Sequence, residues 1–230
     1  MYRLCKSILT FVLFVFSLQS GATGMVPDTS LLWITDKNMG GELNVRNSDS
    51  TAALLYTKIV DVENDKTLKV LVTQPVVRVE GGAYQKLRFV LQTDRPLTTE
   101  HYKRLIIENI PPKSNKPNQV NINVRQDLPV IIHPDSLPIE KEPWKLLQLS
   151  KTESGFLINN PSKYVVRLNQ KANVTSGKSE VILPKTYILP GEKVTVTPKS
   201  GLGNGSGLTI YPVSRYGVPV GEYQMKVGYE

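Results

Sequence analysis

The sequence is poor in the residues that form covalent cross-links and many active sites. Of its 230 residues, one is cysteine (Cys5) and two are histidine (His101 and His133). Cys5 lies in a segment that we expect to be removed, and a mature chain without cysteine excludes disulfides, thiolate metal sites and a cysteine nucleophile. Neither histidine has a serine or an acidic residue at a spacing typical of a nucleophile–base pair. We therefore expect no enzymatic activity, no cofactor and no metal site.

Helical periodicity and phosphate-binding loops are also lacking. No window repeats its apolar residues every 3.6 positions, as an amphipathic helix would. The glycine-rich segment 201–207 neither follows a strand nor opens a helix, so it predicts a mobile loop rather than a nucleotide site. The sequence therefore predicts an all-β protein.

The amino terminus has the pattern of an export signal. Arg3 and Lys6 precede an apolar run at 8–18, and small residues follow at 20–24. This order predicts a cleaved signal peptide over residues 1–24, with a retained signal anchor as the alternative. The apolar run is too short for an ordinary membrane span. The formal charge of +8 falls to about +6 without the signal, which suits an anionic partner, whereas export argues against nucleic acid.

Short strands closed by turn residues fill the rest of the chain. The region 25–135 holds roughly seven of them, the number expected of an immunoglobulin-like sandwich. Three prolines and four charged residues at 134–143 indicate a linker. A second strand series follows, including one predicted over 144–149. We therefore expect two immunoglobulin-like domains, 25–135 and 136–230, and a hairpin-type turn at 80–82.

The segment 119–132 predicts an edge strand. Val120, Ile122 and Val124 alternate with polar residues, which is the period of a strand with one apolar face. Pro129 cannot donate to a ladder, so this portion belongs at a sheet edge or a bulge. A long apolar edge is an aggregation risk that proteins usually blunt, so its retention suggests use as a binding strand. The alternative is that the three apolar residues face the core of their own domain.

Two arginines near this strand are candidate partner-binding residues. Arg104 alternates in phase with Tyr102, Ile106 and Glu108, and a guanidinium beside an edge strand can hold a terminal carboxylate through two hydrogen bonds. Arg125 is placed to do the same from the polar face of the edge strand. For Arg104, the alternative is an ordinary solvated strand residue.

Several motifs together resemble the periplasmic chaperones of the chaperone–usher pilus pathway, the PapD-like family. Residues 74–82 look like the family's P-P-x-x-x-L-x-P-G turn, and residues 102–112 are similar to its Y-R-L-x-x-x-E-I-P-P strand. Residues 160–168 look like N-P-x-x-x-x-V-x-L, and 188–191 and 216–217 fit later positions. The resemblance covers essentially all of the mature chain. It implies two immunoglobulin-like domains in an L shape and a donor strand that completes incomplete pilus subunits.

Two departures from the best-known branch bear on the expected site. That branch has an arginine where this chain has Ser30 and a lysine where this chain has Pro129. The segment 125–130 instead looks like the L-P-V edge strand of the archaic branch, whose anchoring arginine maps onto Arg104. The resemblance implies that Arg104 and Arg125, with Val120, Ile122 and Val124, contact pilus subunits. It also implies delivery to an outer-membrane usher, a periplasmic location and no stable membrane insertion.

Two other function classes remain open from the sequence. A secreted adhesin or carbohydrate-binding sandwich would carry clustered loop aromatics, whereas Trp33 and Trp144 sit in strand-like contexts. A secreted hydrolase would need a catalytic set that the residues do not supply.

Overall fold

The computed structural model describes residues 24–112, 123–175, 179–199 and 207–228. These residues form strands almost throughout. The first nine strands are β1 (Met25–Pro27), β2 (Leu32–Thr35), β3 (Gly40–Asn47), β4 (Ala53–Asp61), β5 (Lys69–Val72), β6 (Val76–Val79), β7 (Tyr84–Gln92), β8 (His101–Ile110) and β9 (Arg125–His133). The predicted signal peptide, residues 1–24, lies outside the described residues except for its last position.

The first nine strands build one two-layered domain. Hydrogen bonding follows the order β5-β7-β3-β2-β9-β8-β4-β6, with β1 also paired to β3. The link between the layers is β2, which pairs in parallel with β9 and touches β3 at the single pair Thr35 and Gly40. Apolar residues from both halves of this path pack into one core. The layers therefore face each other as in a β-sandwich.

Strand alternation directs side chains into this core. In β7, Leu87, Phe89 and Leu91 are buried while the residues between them are exposed. This is the period of two that a strand with one buried face requires. Leu87, Phe89 and Leu91 therefore share the buried face of the strand.

The remaining elements form a second domain with its own core. It begins with a 3₁₀ helix, Pro143–Leu146, and its strands are β10 (Gln148–Lys151), β11 (Phe156–Asn159), β12 (Val166–Val174), β13 (Glu180–Ile182), β14 (Tyr187–Ile188), β15 (Lys193–Val196), β16 (Gly207–Pro212) and β17 (Tyr223–Lys226). One sheet has the order β10-β11-β15, and the other has β13-β12-β16-β17 with β14 paired to β12. Trp144, Phe156 and Ile158 are among the buried residues between them.

Two local predictions were wrong. Residues 143–146 form a 3₁₀ helix rather than the start of a strand, because Pro143 presets a helical φ at its first position and Trp144 turns into the core. The turn after β6 does not close a hairpin, since β6 pairs with β4 whereas β7 pairs with β3 and β5. It carries the chain between layers, with Gly82 at a φ of 75° that favours glycine.

The expectation of an all-β protein with two immunoglobulin-like domains is confirmed. Within the described ranges, no helix is long and apolar enough to cross a lipid bilayer.

Candidate functional site in the interdomain cleft

The cleft between the two domains is lined by one face of β8. Along this strand, Leu105 and Ile107 enter the first core, whereas Tyr102 belongs to a separate cluster shared with the second domain. The Tyr102 ring lies 4.5 Å, centroid to centroid, from the ring of Tyr187. Since Arg104 is two residues after Tyr102, it shares this cleft-facing side.

The shared cluster joins the domains through apolar contact. Its buried members are Leu31, Val62, Tyr102, Ile131, Val165 and Leu189, with Trp33 and Tyr187 packed against them. Two further contacts also join the domains. The Ser30 hydroxyl donates to the Tyr216 carbonyl at 2.5 Å, and the Arg215 guanidinium lies 4.8 Å from the centre of the Trp33 ring. Residues from both domains thus surround the cleft.

Arg104 is held in a defined orientation. Its Nε donates to Asp127 Oδ1, its Nη2 to the Asp127 carbonyl and its Nη1 to the Tyr102 hydroxyl, each at 2.8 Å. Burial opposes the charged form, but the hydrogen bonds that the guanidinium donates to Asp127 and Tyr102 outweigh it and raise the pKa of Arg104. The side chain is 25% exposed, and a guanidinium has more N–H donors than these three contacts use. It can therefore bind a further acceptor.

Arg167 approaches the same tyrosine from the second domain. It lies on β12 opposite Tyr187 of β14, and its Nη1 donates to the Arg215 carbonyl at 2.7 Å. Tyr187, its register partner, packs on the ring of Tyr102. Burial, and after it the charge of Arg104, lower the pKa of Arg167. One arginine of each domain is therefore joined to the Tyr102–Tyr187 ring pair, Arg104 by a hydrogen bond to Tyr102 and Arg167 as the register partner of Tyr187.

The strand β9 is an edge over its first half only. Residues Arg125 to Pro129 pair with β8 alone. Val130 to Ile132 pair with β8 on one side and β2 on the other, and His133 pairs with β2. Pro129 is thus the last residue before the second partner begins. A proline lacks an N–H donor, so it suits the end of an open side.

The predicted binding residues are placed differently from one another. Val120 and Ile122 lie outside the described residues. Val124 precedes β9 and is 43% exposed. Farther along the same strand face, Leu128 packs partly against the first core and Val130 is fully buried. The apolar face is therefore core in β9 itself and open at Val124.

Arg125 is exposed at the start of β9 and pairs in register with Glu108. Arg104 pairs in register with Pro129, four residues farther along β9. At the rise of a strand this places the two arginines about 13 Å apart along the sheet. At this separation we treat the two arginines as separate binding positions, which do not bind the same small anion.

The two histidines have structural partners. His133 Nδ1 lies 2.8 Å from Glu100 Oε1, and its Nε2 lies 2.9 Å from the Leu137 carbonyl. The other oxygen of Glu100 accepts a hydrogen bond from the Val165 backbone N–H of the second domain. His101 contacts Asp65 at 2.8 Å. Through Glu100, His133 takes part in the packing between the two domains.

Sequence reasoning missed Asp127, Arg167 and Glu100. Each becomes significant only through a partner distant in the chain, and no local pattern distinguishes it from a solvated residue. No cluster of three or more potential metal ligands occurs among the described residues. What the cleft offers is a cationic, hydrogen-bond-donating surface beside an open strand.

Comparisons with known proteins agree with this geometry. A family model described as "Pili and flagellar-assembly chaperone, PapD N-terminal domain" matches residues 24–138, and one described as "Pili assembly chaperone PapD, C-terminal domain" matches residues 142–224. The chain is 44% identical over 218 residues to the "Uncharacterized fimbrial chaperone YhcA" of Escherichia coli K12, covering 94% of this chain and 96% of that protein. It is 26% identical over 183 residues to the "Probable fimbrial chaperone YfcS" of the same strain, covering 74% and 73%.

Solved structures share the fold at low sequence identity. A chain of the Salmonella enterica complex of SafA pilin with SafB chaperone matches with a TM-score of 0.71 and 17% identity, covering 90% of this chain and 98% of that one. A chain of the CsuC–CsuE chaperone–adhesion subunit complex, from archaic Csu pili of Acinetobacter baumannii, matches with a TM-score of 0.64 and 16% identity, covering 90% and 100%.

Proposed function

The chain belongs to the family of pili assembly chaperones, and on that premise we propose that it captures pilus subunits through two contacts. Arg104 binds the C-terminal carboxylate of the subunit, and the segment that carries Val120, Ile122 and Val124 completes the subunit's fold. The observation that carries this proposal is the orientation of Arg104, whose guanidinium faces the cleft with unused donors beside the open half of β9.

Strand addition explains why an apolar segment that the sequence predicts as an edge strand is kept. A pilus subunit is an incomplete sandwich with an apolar groove, and chaperone–pilin complexes are a known case in which a donated strand fills it. Backbone hydrogen bonds supply affinity, and side chains at alternate positions fill the groove. Val124 supports this role because, directly before β9, its side chain is exposed rather than packed into the core of its own domain.

The carboxylate contact fixes where the subunit docks. A guanidinium binds a carboxylate through charge-assisted hydrogen bonds that are stronger than neutral ones. Arg104 lies in β8, the strand that pairs with the open half of β9. A subunit held there by its terminus has its last strand aligned with the donor segment, so one charged contact sets the register of the added strand.

The archaic subgroup, the periplasmic site of action and delivery to an outer-membrane usher belong to the same proposal. Pro129 and Ser30 occupy the positions of the two cations in the best-known branch. Pro129 is buried, and the Ser30 hydroxyl donates to the Tyr216 carbonyl. Because neither position supplies a cation, we assign the anchoring role to Arg104. Arg125, exposed farther along, is proposed to contact the subunit beyond its terminus.

The test is the variant Arg104→Ala, produced together with the pilus subunit that co-purifies with the unaltered chain. Losing a charge-assisted contact of roughly 1.5–3 kcal/mol weakens capture by about tenfold to a hundredfold. The free energy of unfolding should change by no more than about 1 kcal/mol, because the Asp127 pair is partly exposed. Subunit level in the periplasm and the Kd of the complex are measured.

Arg88→Ala is the matched control. Arg88 is an exposed arginine of the same domain that pairs with Glu42 on the other layer, and its loss should leave capture unchanged. Unaltered subunit levels with Arg104→Ala would remove Arg104 from the site.

A further inference from the structure

We infer that Asp49 and Asn109 bind the α-ammonium group that removal of the signal peptide creates at the start of the mature chain. The ligand of this site is the protein's own chain end. The inference requires a cut before Gly24, so that the signal peptide predicted over residues 1–24 ends one or two residues earlier. It does not rest on the proposed function of the interdomain cleft.

Gly24 is part of the folded first domain. It is buried, and its carbonyl accepts hydrogen bonds from the Ser48 backbone N–H at 2.9 Å and from the Ser48 hydroxyl at 3.0 Å. The match to the N-terminal family model also begins at residue 24. A cut after Ala22 would have small residues at Ala22 and Ser20, which is the pattern of a signal-peptide cleavage site. Such a cut leaves the contacts of Gly24 in place.

The side chain of Asn109 lies beside Gly24 and is incompletely paired. A carbon added to the Cα atom of Gly24 would be 3.5 Å from Asn109 Nδ2. Asn109 is 6% exposed, and its Oδ1 has no hydrogen-bond partner among the described residues. A buried carbonyl oxygen without a donor costs free energy, and such an atom in a native protein calls for an explanation. Asn109 therefore supplies an acceptor next to the start of the domain.

Asp49 adds a negative charge at the same place. Its Oδ2 accepts a hydrogen bond from Asn109 Nδ2 at 3.4 Å, which is long for such a contact. The residue is partly buried, and no lysine or arginine among the described residues forms an ion pair with it. A carboxylate without a cation and a buried amide oxygen without a donor are therefore neighbours.

An α-ammonium group supplies what these two acceptors lack. An α-amino group is mostly protonated at neutral pH, and three N–H donors let it contact an amide oxygen and a carboxylate together. In the precursor the same nitrogen belongs to an uncharged peptide group with one N–H donor. Removal of the signal peptide thus creates both the charge and the additional donors.

The anchored chain end lies against the start of the donor strand. The Asn109 backbone N–H donates to the Val124 carbonyl at 3.3 Å, and Gln126 Nε2 donates to the Met25 carbonyl. The strand β1 therefore joins the chain end to the open half of β9. We expect the processed chain end to order this half, a consequence that does rest on the proposed function.

A role in holding a turn is the competing explanation. The Asp49 backbone N–H donates to Asn47 Oδ1 at 3.1 Å, and the Asp49 carbonyl accepts from the Gly82 N–H at 3.1 Å. If Asp49 and Asn109 only join this turn to β8, their replacement destabilises the domain equally whatever precedes Gly24. The two explanations therefore differ in their dependence on the position of the chain end.

The experiment moves the ammonium group and leaves the folded domain unchanged. Two serines are inserted between Ala22 and Thr23, so that processing leaves the chain end two residues farther from Gly24. Two serines added after Glu230 are the matched extension. N-terminal sequencing of protein purified from the periplasm establishes each chain end, and the thermal unfolding midpoint of the first domain is measured.

The insertion is made in the unaltered chain and in three variants. Asp49→Asn removes the charge of the proposed site, whereas Asn109→Asp keeps an oxygen acceptor there. Asp94→Asn is the matched control, since Asp94 is an exposed aspartate of the same domain.

We expect the insertion to lower the midpoint of the unaltered chain by about 4 °C, the shift typical of a domain of this size that loses one charge-assisted contact. In Asp49→Asn the insertion should shift the midpoint by less than about 1 °C, because the contact is already lost. Asn109→Asp and Asp94→Asn should keep the full shift. The serines after Glu230 should have no effect.

Equal shifts in the unaltered chain and in Asp49→Asn, or no shift in either, overturn the inference. A mature chain that begins after Gly24, or one that retains its signal peptide, overturns it as well. The Kd for the co-purifying subunit should rise about threefold with the insertion, less than the loss of a direct contact would cause. An unchanged Kd removes the link to the donor strand, whereas failure of the proposed function itself is detected by Arg104→Ala.

Discussion

The two halves of β9 differ in what covers them. Val130 to Ile132 lie between β8 and β2, His133 pairs with β2, and all four residues are buried. Arg125 to Pro129 pair with β8 alone, and Arg125 and Asp127 are exposed. One continuous strand is thus a central structural element at one end and an open edge at the other.

This difference shows how a protein can keep an open edge strand that is suited to binding and still have a stable fold. The buried half carries the packing that stabilises the domain, so the open half can retain features suited to a partner. Pro129 stands at the junction, where its missing N–H ends the open side before β2 begins. Stability and binding are then separable along the strand.

The largest effect is expected from the buried half. Ile132 has no exposed surface and belongs to the first core, so Ile132→Ala should lower the free energy of unfolding by about 2–5 kcal/mol. Urea denaturation of the isolated protein measures this. Val124→Ala, the matched truncation at an exposed site, should change it by less than about 0.5 kcal/mol. Similar losses for both variants would abolish the distinction between the halves.

The donor segment should show the opposite behaviour. Ile122→Thr is expected to change the unfolding midpoint little, yet to leave the bound subunit open to aggregation and proteolysis, because a polar side chain fills the groove poorly. Protection of the co-expressed subunit is the measurement. Asn123→Thr, on the opposite strand face, should do much less. A variant Ile122→Thr that unfolds outright, or one that still protects the subunit fully, would falsify the donor role.

The smallest effect should come from Asp127 in the open half. Its carboxylate orients Arg104 but also repels an incoming carboxylate. Asp127→Asn keeps an oxygen acceptor, and the second contact to Arg104 comes from the backbone carbonyl. We therefore expect subunit capture up to about fivefold tighter, or about 1 kcal/mol, typical of a partly exposed charge. The Kd reports this, and weaker capture would mean that the charge of Asp127 is needed for orientation.

Local pattern was enough to predict much of the fold and part of the site. Alternation identified the buried face of β7, and turn residues separated the strands. The same alternation placed Arg104 beside Tyr102, as the hydrogen bond between them shows. It was wrong at residues 143–146, where an isolated 3₁₀ turn has no period to detect and a proline decides the backbone. The exact domain boundary and the subunit-binding roles stay predictions.

The sequence by itself determined the all-β class, the two domains and the arginine on the accessible face of β8, because each depends on neighbours within a few residues. Only the tertiary structure decided that β9 is open before Val130, that Asp127 orients Arg104 and that Arg167 lies opposite Tyr187, whose ring packs on Tyr102. The residues in these contacts are far apart in the chain. Arg104 and Asp127 are 23 positions apart, and Arg167 lies in a different domain from Arg104. Strand pairing and domain packing set such distances, and no local period encodes them.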